Sequence, residues 1–528
     1  MHILFPGRHH LLTDFQFKYL FRLINGGLKK EVDVYGKALD IEEPIESIFF
    51  AVTSSNHSNT RRNPLPFYLR AVAIESFASG LGVPCFTFGI EDVGLVEDFA
   101  GYTIKKIQHE TDGKICLTPK NTVVICSTPV FKMYDDKGFR MLPGELQDIS
   151  TWTCHTEQPW SLVEKIAAST SWKEEVAVLD KMHPASYNVW NRYDFGDKVK
   201  LLFNDKIIGD DGDITETRDY NSYVRQMDEI AELKYRETAP YVKPGRVGDI
   251  GCAVGSWIKL ACQDPVLRES DFYGIEVSRR LFDICQQRKH NHEFENPYVF
   301  FSQKNAVTGL VFEPGSMNSI FTSSLTHEIE SYGSREDLIA FINNRFEELV
   351  PEGVWVNRDV VGAEHKDKEV FMLLNKQDGL NDLLQIPSED LNGYLKNLST
   401  YGRFLQFAKD FRQTEGYVLR YEEQEIEGKV FVKLKLQDAM EFITKKDYID
   451  NWQSEMYETF CFWSFSDWKE HLEKAGFSIS PQSNAYTNPW LVENRFKGKA
   501  ELFELVNKQL VPLDYPVTNM ILIAEKKV

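Results

Sequence analysis

The sequence predicts an α/β protein made of two doubly wound parallel-sheet domains, and three observations support this fold class. Short apolar runs alternate with helical patterns in the first part of the chain, and the same alternation returns in the second half. At 528 residues the chain is too long for one ordinary domain. An apolar content of 42% and a charged content of 26% are typical of globular proteins, so each half can bury its own core.

The first half contains four candidate strands separated by helices. The strands are predicted at His2–Phe5, Ser47–Val52, Cys85–Phe88 and Thr122–Cys126. The helices are predicted at Asp14–Leu23, Pro66–Ser79, Tyr102–Thr111 and Val130–Lys137. Strand and helix alternating at this spacing indicate a parallel sheet with right-handed crossovers.

A polar stretch rich in glycine and aspartate, 209–213, separates the two halves. We therefore expect a first domain over 1–165, a linker over 166–214 and a second domain over 215–528. An amphipathic helix at Tyr220–Arg236 leads into the second domain.

The second half repeats the alternation and adds a terminal pair of strands. Its strands are predicted at Val247–Ile250, Phe272–Ile275, Tyr298–Phe301, Ser319–Thr322, Val354–Asn357, Phe477–Ser480 and Met520–Ala524. A charged, aromatic and mostly helical insertion is expected at about 365–460. Sheets of this class bind ligands at the carboxyl ends of their strands.

Composition narrows the range of partners. The net charge of −19 disfavours broad binding to a phosphate backbone. No apolar stretch has the roughly 20 residues that a membrane span needs, and the first residues lack the basic start of a signal peptide. We therefore expect a cytoplasmic protein without a membrane partner. The eight cysteines form no C-x-x-C pair and predict neither a disulfide framework nor a metal site.

The most informative motif lies at 247–257. An apolar strand ends in Asp249 and then turns through Gly251 and Gly255 into a helix, and glycines in such a turn let the backbone approach a ligand closely. The motif does not fit G-x-G-x-x-G, and the chain has no Walker A pattern. It resembles motif I of class I S-adenosylmethionine-dependent methyltransferases, usually D-x-G-x-G-x-G, with Ala253 at the middle glycine.

This resemblance covers 215–528 apart from the insertion and implies a Rossmann-like methyltransferase fold that binds S-adenosylmethionine. Asp249 would face the amino-acid end of the cofactor, and Glu276, which ends the next strand, would accept hydrogen bonds from the ribose hydroxyls. Asn305 and Ala306 follow the third strand, where the adenine is expected. The implied cofactor-binding residues are Asp249, Gly251, Cys252, Gly255, Glu276, Asn305, Ala306 and Thr322.

The stretch after the fourth strand supplies the candidate catalytic residues. Members of this family place residues that face the acceptor here, and His327 and Glu328 are our candidates, with Tyr332 nearby. A general base contributes roughly 10²–10⁴ in rate when the acceptor must lose a proton. In the alternative interpretation His327 caps or orients the following helix and Glu328 is a solvated helical residue.

Aromatic residues are dense near the end of the insertion. They are Trp452, Tyr457, Phe460, Phe462, Trp463, Phe465 and Trp468. Such a group lines a substrate pocket or forms the core of the insertion itself, and the sequence leaves both interpretations open.

The first domain resembles a different family over 1–165. Gly7, His9 and His10 follow the first strand. This turn and the stretches 54–64 and 126–134 resemble the nucleotidylyltransferase superfamily, and within it the nicotinamide-mononucleotide adenylyltransferases are the most similar group we can name. The resemblance implies a nucleoside triphosphate with Mg and a catalytic role for His10. The H-x-G-H signature of that family reads Thr13-Asp14-Phe15-Gln16 here, which removes its imidazolium charge.

The leading hypothesis is methyl transfer from S-adenosylmethionine to a small-molecule or nucleotide-linked acceptor, with nucleotidyl transfer by the first domain as a second activity. The alternative is an RNA or protein methyltransferase whose degenerate first domain only binds the partner or a nucleotide. A third hypothesis is a binding protein without turnover. The sequence leaves the acceptor and the oligomeric state open.

Overall fold

The computed structural model describes residues 1–93, 96–128, 130–204, 220–382 and 391–527, and it describes the backbone alone for 220–224 and 226. The chain divides into two units, Met1–Gly212 and Asp213–Val528. Both units mix helices with parallel strands, so the prediction of an α/β protein with parallel sheets is confirmed. The boundary stretch 209–213 lies outside the described residues.

The first unit contains seven strands and eight α-helices within its described residues. The strands are β1 (His2–Gly7), β2 (Ser47–Thr53), β3 (Cys85–Ile90), β4 (Thr122–Ile125), β5 (Arg140–Leu142), β6 (Leu146–Asp148) and β7 (Thr153–Cys154). The helices are α1 (Asp14–Gly26), α2 (Phe67–Ala78), α3 (Phe99–Glu110), α4 (Phe131–Asp135), α5 (Pro159–Ala168), α6 (Val176–Leu179), α7 (Pro184–Arg192) and α8 (Phe195–Asn204).

Five of these strands form a parallel sheet in the order β3-β2-β1-β4-β5. Strand β2 is apolar at nearly every position because both of its faces are buried. Ile48, Phe50 and Val52 pack into the core on one face of the sheet, while Phe49 and Ala51 pack into the core on the other. A strand covered on both faces reads as a continuous apolar run, as expected for a parallel sheet.

Two of the four residues aligned with the nucleotidylyltransferase signature, Thr13 and Gln16, have a structural role at the start of α1. Thr13 Oγ1 accepts a hydrogen bond from the Gln16 N–H at 3.2 Å, and Gln16 Oε1 accepts one from the Thr13 N–H at 3.1 Å. This reciprocal pair is a capping box, which satisfies two N–H groups that a helix start leaves without intrahelical partners. Gln16 also donates to Glu145 at 2.8 Å.

The stretch expected as a linker, 166–214, contains helices α6 to α8 in its described part. Trp172, Val189, Trp190 and Phe195 from this stretch are buried in the core of the first unit. Their apolar spacing is masked in the sequence by the charged residues between them. Tertiary packing therefore extends the first unit beyond the range predicted for its domain.

The second unit contains thirteen strands and eleven α-helices within its described residues. The strands are β8 (Arg246–Ile250), β9 (Asp271–Glu276), β10 (Val299–Gln303), β11 (Met317–Ser323), β12 (Leu349–Val360), β13 (Glu369–Leu374), β14 (Glu422–Ile426), β15 (Lys429–Lys435), β16 (Phe477–Ile479), β17 (Asn484–Tyr486), β18 (Ala500–Val506), β19 (Gln509–Leu513) and β20 (Asn519–Lys526). The helices are α9 (Tyr220–Thr238), α10 (Ser256–Ala261), α11 (Arg279–His290), α12 (Thr326–Tyr332), α13 (Arg335–Glu348), α14 (Leu391–Asn397), α15 (Thr400–Asp410), α16 (Leu436–Lys445), α17 (Trp452–Glu455), α18 (Phe465–Lys474) and α19 (Pro489–Leu491).

The main sheet of the second unit has the order β10-β9-β8-β11-β12-β20-β16, with β17 also paired to β20. The first five strands are parallel, and β20 runs antiparallel to β12 and to β16. The predicted five parallel strands and terminal pair are thus present. The strand order reverses between β8 and β11, and doubly wound sheets bind ligands at such a switch point.

The insertion differs from the expected, mostly helical structure. Strands β13, β14 and β15 from the insertion join β18 and β19 in an antiparallel sheet of order β14-β15-β13-β18-β19. The prediction of a mostly helical segment was therefore wrong about these strands. Their many Glu and Lys residues resemble the exposed face of a helix, and the glutamates of β14 lie at an edge of the sheet, where charge discourages pairing with other chains.

Helices α14, α15 and α16 supply apolar residues to a core that this antiparallel sheet shares. In the part of the chain that the structure describes, no helix is both long enough and apolar enough to span a membrane.

Candidate functional site

A cavity of about 380 Å³ lies at the switch point of the main sheet in the second unit. The turn after β8, the end of β9, the residues after β11 and helices α9 and α12 line one part of it, and the insertion lines the rest. Its polar and charged side chains are Lys234, Asp249, Ser256, Glu276, Ser278, Ser323, Ser324, His327, Glu328, Tyr332, Tyr448, Asn451, Glu455 and Glu458.

The glycine turn forms the floor of this cavity. The N–H groups of Gly251 and Cys252 both donate to Ile275 O, at 2.8 and 3.1 Å, which holds the turn against the end of β9. Gly251 has φ +73° and Gly255 has φ +74°, so the glycines predicted to shape the turn occupy the left-handed region. Gly255 precedes α10, and an added Cβ would lie 3.1 Å from the rings of two phenylalanines.

Ala253 also adopts a left-handed conformation, with φ +49°. It occupies the middle-glycine position, so the backbone keeps the glycine-type geometry although a side chain is present. This conformation costs a residue with a Cβ roughly 1–2 kcal/mol.

Glu276 lies at the carboxyl end of β9 and is buried. Its Oε2 accepts from the Ala253 N–H at 2.9 Å and its Oε1 accepts from the Ser278 N–H at 2.8 Å. Burial raises the pKa of this carboxyl to about 7, although the two N–H donors oppose the shift. Each oxygen retains a second lone pair, so the carboxylate can still accept two hydroxyl groups.

Asp249 is buried at the carboxyl end of β8. Burial raises the pKa of its carboxyl to about 8, the positive charge of Lys234 opposes the shift and Glu276 adds to it. Burial also lowers the pKa of Lys234 to about 8. The cavity therefore holds two carboxyl groups that lack enough compensation from the chain to be stably ionised at neutral pH.

The structure brings only part of the predicted cofactor set to the cavity. Asp249, Gly251, Cys252 and Glu276 line it, together with Ser278 and Ser324, which the sequence analysis did not single out.

Four predicted cofactor contacts lie outside that lining: Gly255, Thr322, Asn305 and Ala306. Thr322 is fully buried and bonded to Asn357 and Trp355, both at 2.9 Å. Asn305 accepts from the Val307 N–H at 2.9 Å, and Ala306 packs in the core. These contacts give Thr322, Asn305 and Ala306 roles in the fold.

His327 bridges two carboxylates. Its Nδ1 lies 2.7 Å from Asp359 Oδ1, and its Nε2 lies 3.5 Å from Glu458 Oε2. Burial acts to lower the pKa of His327 because it disfavours the charged ring. The negative charges and hydrogen bonds of Asp359 and Glu458 outweigh this effect and raise the pKa of His327 well above its usual value. Because both ring nitrogens then carry protons, this geometry does not favour the role of general base.

Asp359 explains why the chain orients His327 in this way. One of its oxygens accepts from the N–H groups of Leu325, Thr326 and His327, at 3.2, 2.7 and 3.2 Å, and so caps α12. Burial acts to raise the pKa of Asp359, but the charge and ring N–H of His327, the Thr326 hydroxyl and the Val360 N–H outweigh it and lower this pKa to about 2. Asp359, and not His327, therefore caps α12, and the same carboxylate holds His327 in its orientation.

The insertion supplies two carboxylates that the sequence analysis missed. Glu458 accepts from Tyr332 Oη at 3.0 Å and pairs with His327. Glu455, at the end of α17, is buried, and its Oε2 has no hydrogen-bond partner among the described residues. Burial, with Glu458 next in effect, raises the pKa of Glu455 to about 8. More than a hundred residues separate these positions from α12, so local sequence patterns could not associate them.

Both interpretations of the aromatic group apply, to different residues. Phe460 lines the cavity and meets the His327 ring edge to face, with centroids 5.1 Å apart. Trp452 is buried in the core of the insertion, whereas Phe462, Trp463 and Trp468 are buried in the core of the main sheet. Tyr448, just outside the predicted group, also lines the cavity.

Two predicted catalytic residues, His327 and Glu328, line the same cavity, and so does the neighbouring Tyr332.

The third predicted catalytic residue, His10, belongs to the first unit. Its ring is buried, and neither ring nitrogen has a hydrogen-bond partner among the described residues. Burial, and then the charges of Arg70 and Arg8, lower the pKa of His10 well below its usual value, so the ring is neutral at pH 7.

Arg70 lies beside His10 and is fully buried. Its guanidinium donates to four carbonyl oxygens, those of Arg8 at 3.1 Å, Thr53 at 2.9 Å, Ser54 at 2.8 Å and His57 at 3.3 Å. These bonds tie the turn after β1 to the turn after β2.

No family model matches the chain, and no curated protein matches its sequence. Solved structures resemble it at low identity. The YcgJ protein of Bacillus subtilis is 11% identical over 57% of this chain and 99% of its own, with a TM-score of 0.30. An S-adenosylmethionine-dependent methyltransferase of Methanosarcina mazei is 13% identical over 55% of this chain and 96% of its own, with a TM-score of 0.28. Geranyl diphosphate C-methyltransferase of Streptomyces coelicolor is 8% identical over 60% of this chain and 86% of its own, with a TM-score of 0.30.

Proposed function

We propose that the second unit is an S-adenosylmethionine-dependent methyltransferase that acts on a small molecule. The observation that carries this proposal is the joint placement of the glycine turn and of two buried carboxyl groups, Asp249 and Glu276, on one cavity at the switch point of the sheet. The same cavity continues to the charged residues of α12 and the insertion. It therefore offers adjoining places for a methyl donor and for an acceptor.

The residues of this cavity fit S-adenosylmethionine chemically. Asp249 is a buried carboxyl group with a raised pKa, and an ammonium group would supply the compensation that the chain does not. Glu276 keeps lone pairs suited to two vicinal hydroxyls. The close-packed glycine turn lets a flat or extended ligand approach the backbone.

When bound, the cofactor supplies a methyl group on a positively charged sulfur, which is an activated leaving group. The chain needs to bind the two reactants, align them and exclude water, and positioning of this kind supplies on the order of 7–11 kcal/mol in favourable cases. Phe321, Leu325 and Phe460 provide apolar lining. Glu328 and Glu455 lie where they can receive a proton.

A small-molecule acceptor is favoured over RNA or protein. The acceptor end of the cavity is lined by Glu455, Glu458 and Phe460, all of them buried, and such depth suits a compact ligand. The net charge of −19 also opposes binding to a phosphate backbone.

The first unit does not support nucleotidyl transfer as a second function. A neutral His10 cannot supply the charge of an imidazolium, and Thr13 and Gln16 are engaged in the capping box. We therefore propose no nucleoside triphosphate or Mg for this unit.

Calorimetric titration of the full chain with S-adenosylmethionine and S-adenosylhomocysteine tests the proposal. We expect saturable binding of both compounds to the wild type. Glu276→Gln should weaken this binding by about 10- to 100-fold, because hydrogen bonds to a charged group contribute roughly 1.5–3 kcal/mol. Asp249→Asn should weaken it similarly.

The matched control is Glu269→Gln, which makes the same substitution at an exposed position just before β9 and should bind like the wild type. Thermal melting of each variant shows whether the fold survives. Wild-type protein that binds neither compound, or folded Asp249 and Glu276 variants that both bind normally, would contradict the proposal.

A further inference from the structure

The acceptor end of the cavity carries an excess of carboxyl groups. Glu328, Glu455 and Glu458 line it, and the aromatic rings of Tyr448 and Phe460 lie beside them. The cluster includes a buried carboxyl oxygen, Glu455 Oε2, that lacks a hydrogen-bond partner among the described residues. A buried acceptor of this kind is costly unless a ligand supplies the donor.

The neighbouring cations Lys445 and His327 oppose the rise in the pKa of Glu455 only in part, because the fold pairs both of them with other groups. His327 lies between Asp359 and Glu458. Lys445 Nζ is 2.8 Å from Glu441 Oε2 and also donates to the backbone oxygen of Glu458. Glu441 in turn accepts from the N–H groups of Phe460 and Cys461, at 3.1 and 2.8 Å. These bonds hold the insertion loop in place.

Resting on the function proposed above, we infer that the methyl acceptor is a basic amine whose nitrogen binds Glu455, with Tyr448 and Phe460 contacting its apolar part. An ammonium group supplies both the positive charge and the N–H donors that this end of the cavity lacks. Neutral hydroxyl acceptors would leave Glu455 without a counter-charge, so its carboxyl would stay largely protonated at neutral pH, and carboxylate acceptors would add a further negative charge.

The residue Glu455 then has a chemical role as well as a binding role. An ammonium nitrogen has no lone pair, so it must lose a proton before it can be methylated, and Glu455 accepts that proton. The nitrogen lone pair forms the new N–C bond while the C–S bond of the donor breaks and its electron pair stays on sulfur. The products are a methylated ammonium and a neutral thioether, and the proton remains on Glu455 until the product leaves.

The raised pKa of Glu455, about 8, suits this transfer. An alkylammonium has a pKa of about 10, so a carboxylate of ordinary pKa would be a much weaker base towards it than Glu455.

Binding of matched amine and alcohol pairs tests the inference. The probes are 2-phenylethylamine, cyclohexylamine and butylamine, each compared with the alcohol of the same skeleton. They are titrated by calorimetry into the full chain, both alone and saturated with S-adenosylhomocysteine. At least one amine should bind about 10-fold or more tightly than its alcohol, since a hydrogen bond to a charged group contributes roughly 1.5–3 kcal/mol.

The variant Glu455→Gln should weaken amine binding by about 10-fold or more and leave alcohol binding unchanged. Asp450→Asn is the matched control, because it removes an exposed carboxylate near α17 and should bind like the wild type. With labelled methyl donor, the amine should be methylated, and Glu455→Gln should lower kcat/KM by about 100-fold or more.

Three results would overturn the inference. They are amines that bind no better than their alcohols, a folded Glu455→Gln variant with unchanged amine affinity, and methylation of alcohols, phenols or carboxylates in place of amines. Titration of the chain alone keeps this test separate from the proposed function, because the absence of cofactor binding contradicts that function whether or not an amine binds.

Discussion

The carboxyl edges of the two parallel sheets share a strand order and differ in chemistry. In the first unit the edge carries arginines and histidines in the turns after β1 and β2, and in the second unit it carries Asp249 and Glu276 after β8 and β9. Both sheets have the order 3-2-1-4-5 along their parallel strands. The strand order therefore determines where this edge lies, and the side chains at the edge determine which ligand it can bind.

In the first unit the most deeply buried charge serves the fold. The Arg70 guanidinium is engaged by four carbonyl oxygens of its own chain, and Thr13 and Gln16 cap a helix. In the second unit Asp249 and Glu455 keep buried carboxyl groups that Lys234 and Lys445 compensate only in part. The comparison shows that the buried charge of the first unit has its partners within the chain, whereas the buried carboxyls of the second unit can still bind a cation.

The largest expected effect on stability comes from removing the buried guanidinium group of Arg70 in the first unit. Arg70→Met leaves four carbonyl oxygens without their donor, and we expect a loss of about 3 kcal/mol or more in the free energy of unfolding, since hydrogen bonds to charged groups contribute roughly 1.5–3 kcal/mol each. Urea denaturation of the full chain measures this change.

The matched control is Arg22→Met, which breaks an exposed ion pair with Glu31 and should cost less than about 1 kcal/mol. Equal stability of the two variants would show that Arg70 is not a structural clamp and would remove the contrast between the two edges.

A smaller effect is expected in the pH dependence of cofactor binding. The folded-state pKa values of Asp249 and Glu276, about 8 and about 7, are raised by burial, so both carboxyls are largely protonated at pH 6 without ligand. A ligand that needs the ionised forms lowers these pKa values and releases protons. Affinity for S-adenosylmethionine should therefore rise between pH 6 and 7.5.

Calorimetry at pH 7 in phosphate and in Tris measures the released protons, because the two buffers differ in protonation enthalpy. Asp249→Asn should reduce the number released. Proton uptake on binding, or an affinity that falls over this pH range, would contradict the electrostatics described for this edge.

The smallest effect concerns the turns themselves. Both edges place a residue with a side chain in the left-handed region after their first strand, His9 with φ +50° and Ala253 with φ +49°. Ala253→Gly should raise the free energy of unfolding by about 0.5–1 kcal/mol, because glycine adopts this conformation without steric cost.

The control for this change is Ala261→Gly within helix α10, which should lower the free energy of unfolding by about 1 kcal/mol or more. Thermal melting distinguishes the two signs. A destabilised Ala253→Gly variant would indicate that the turn carries no strain at this position.

Sequence patterns predicted the strands of the parallel sheets well and those of the insertion poorly. Strands β8 and β9 are apolar because both faces are covered, so their sequence alone identifies them. Strand β14, Glu422–Ile426, consists almost entirely of polar residues and lies at an edge of its sheet. Its pairing with β15 depends on tertiary contacts that no local pattern records.

By itself the sequence determined the turn around Gly251 and the carboxylates at the ends of β8 and β9, because local backbone geometry and residue type define such a motif. Only the tertiary structure decided which distant residues share its cavity. It placed Glu455 and Glu458 of the insertion beside α12, and it engaged His327 between two carboxylates. The physical reason is that burial and charge pairing, which set the protonation of each group, arise from residues far apart in the chain.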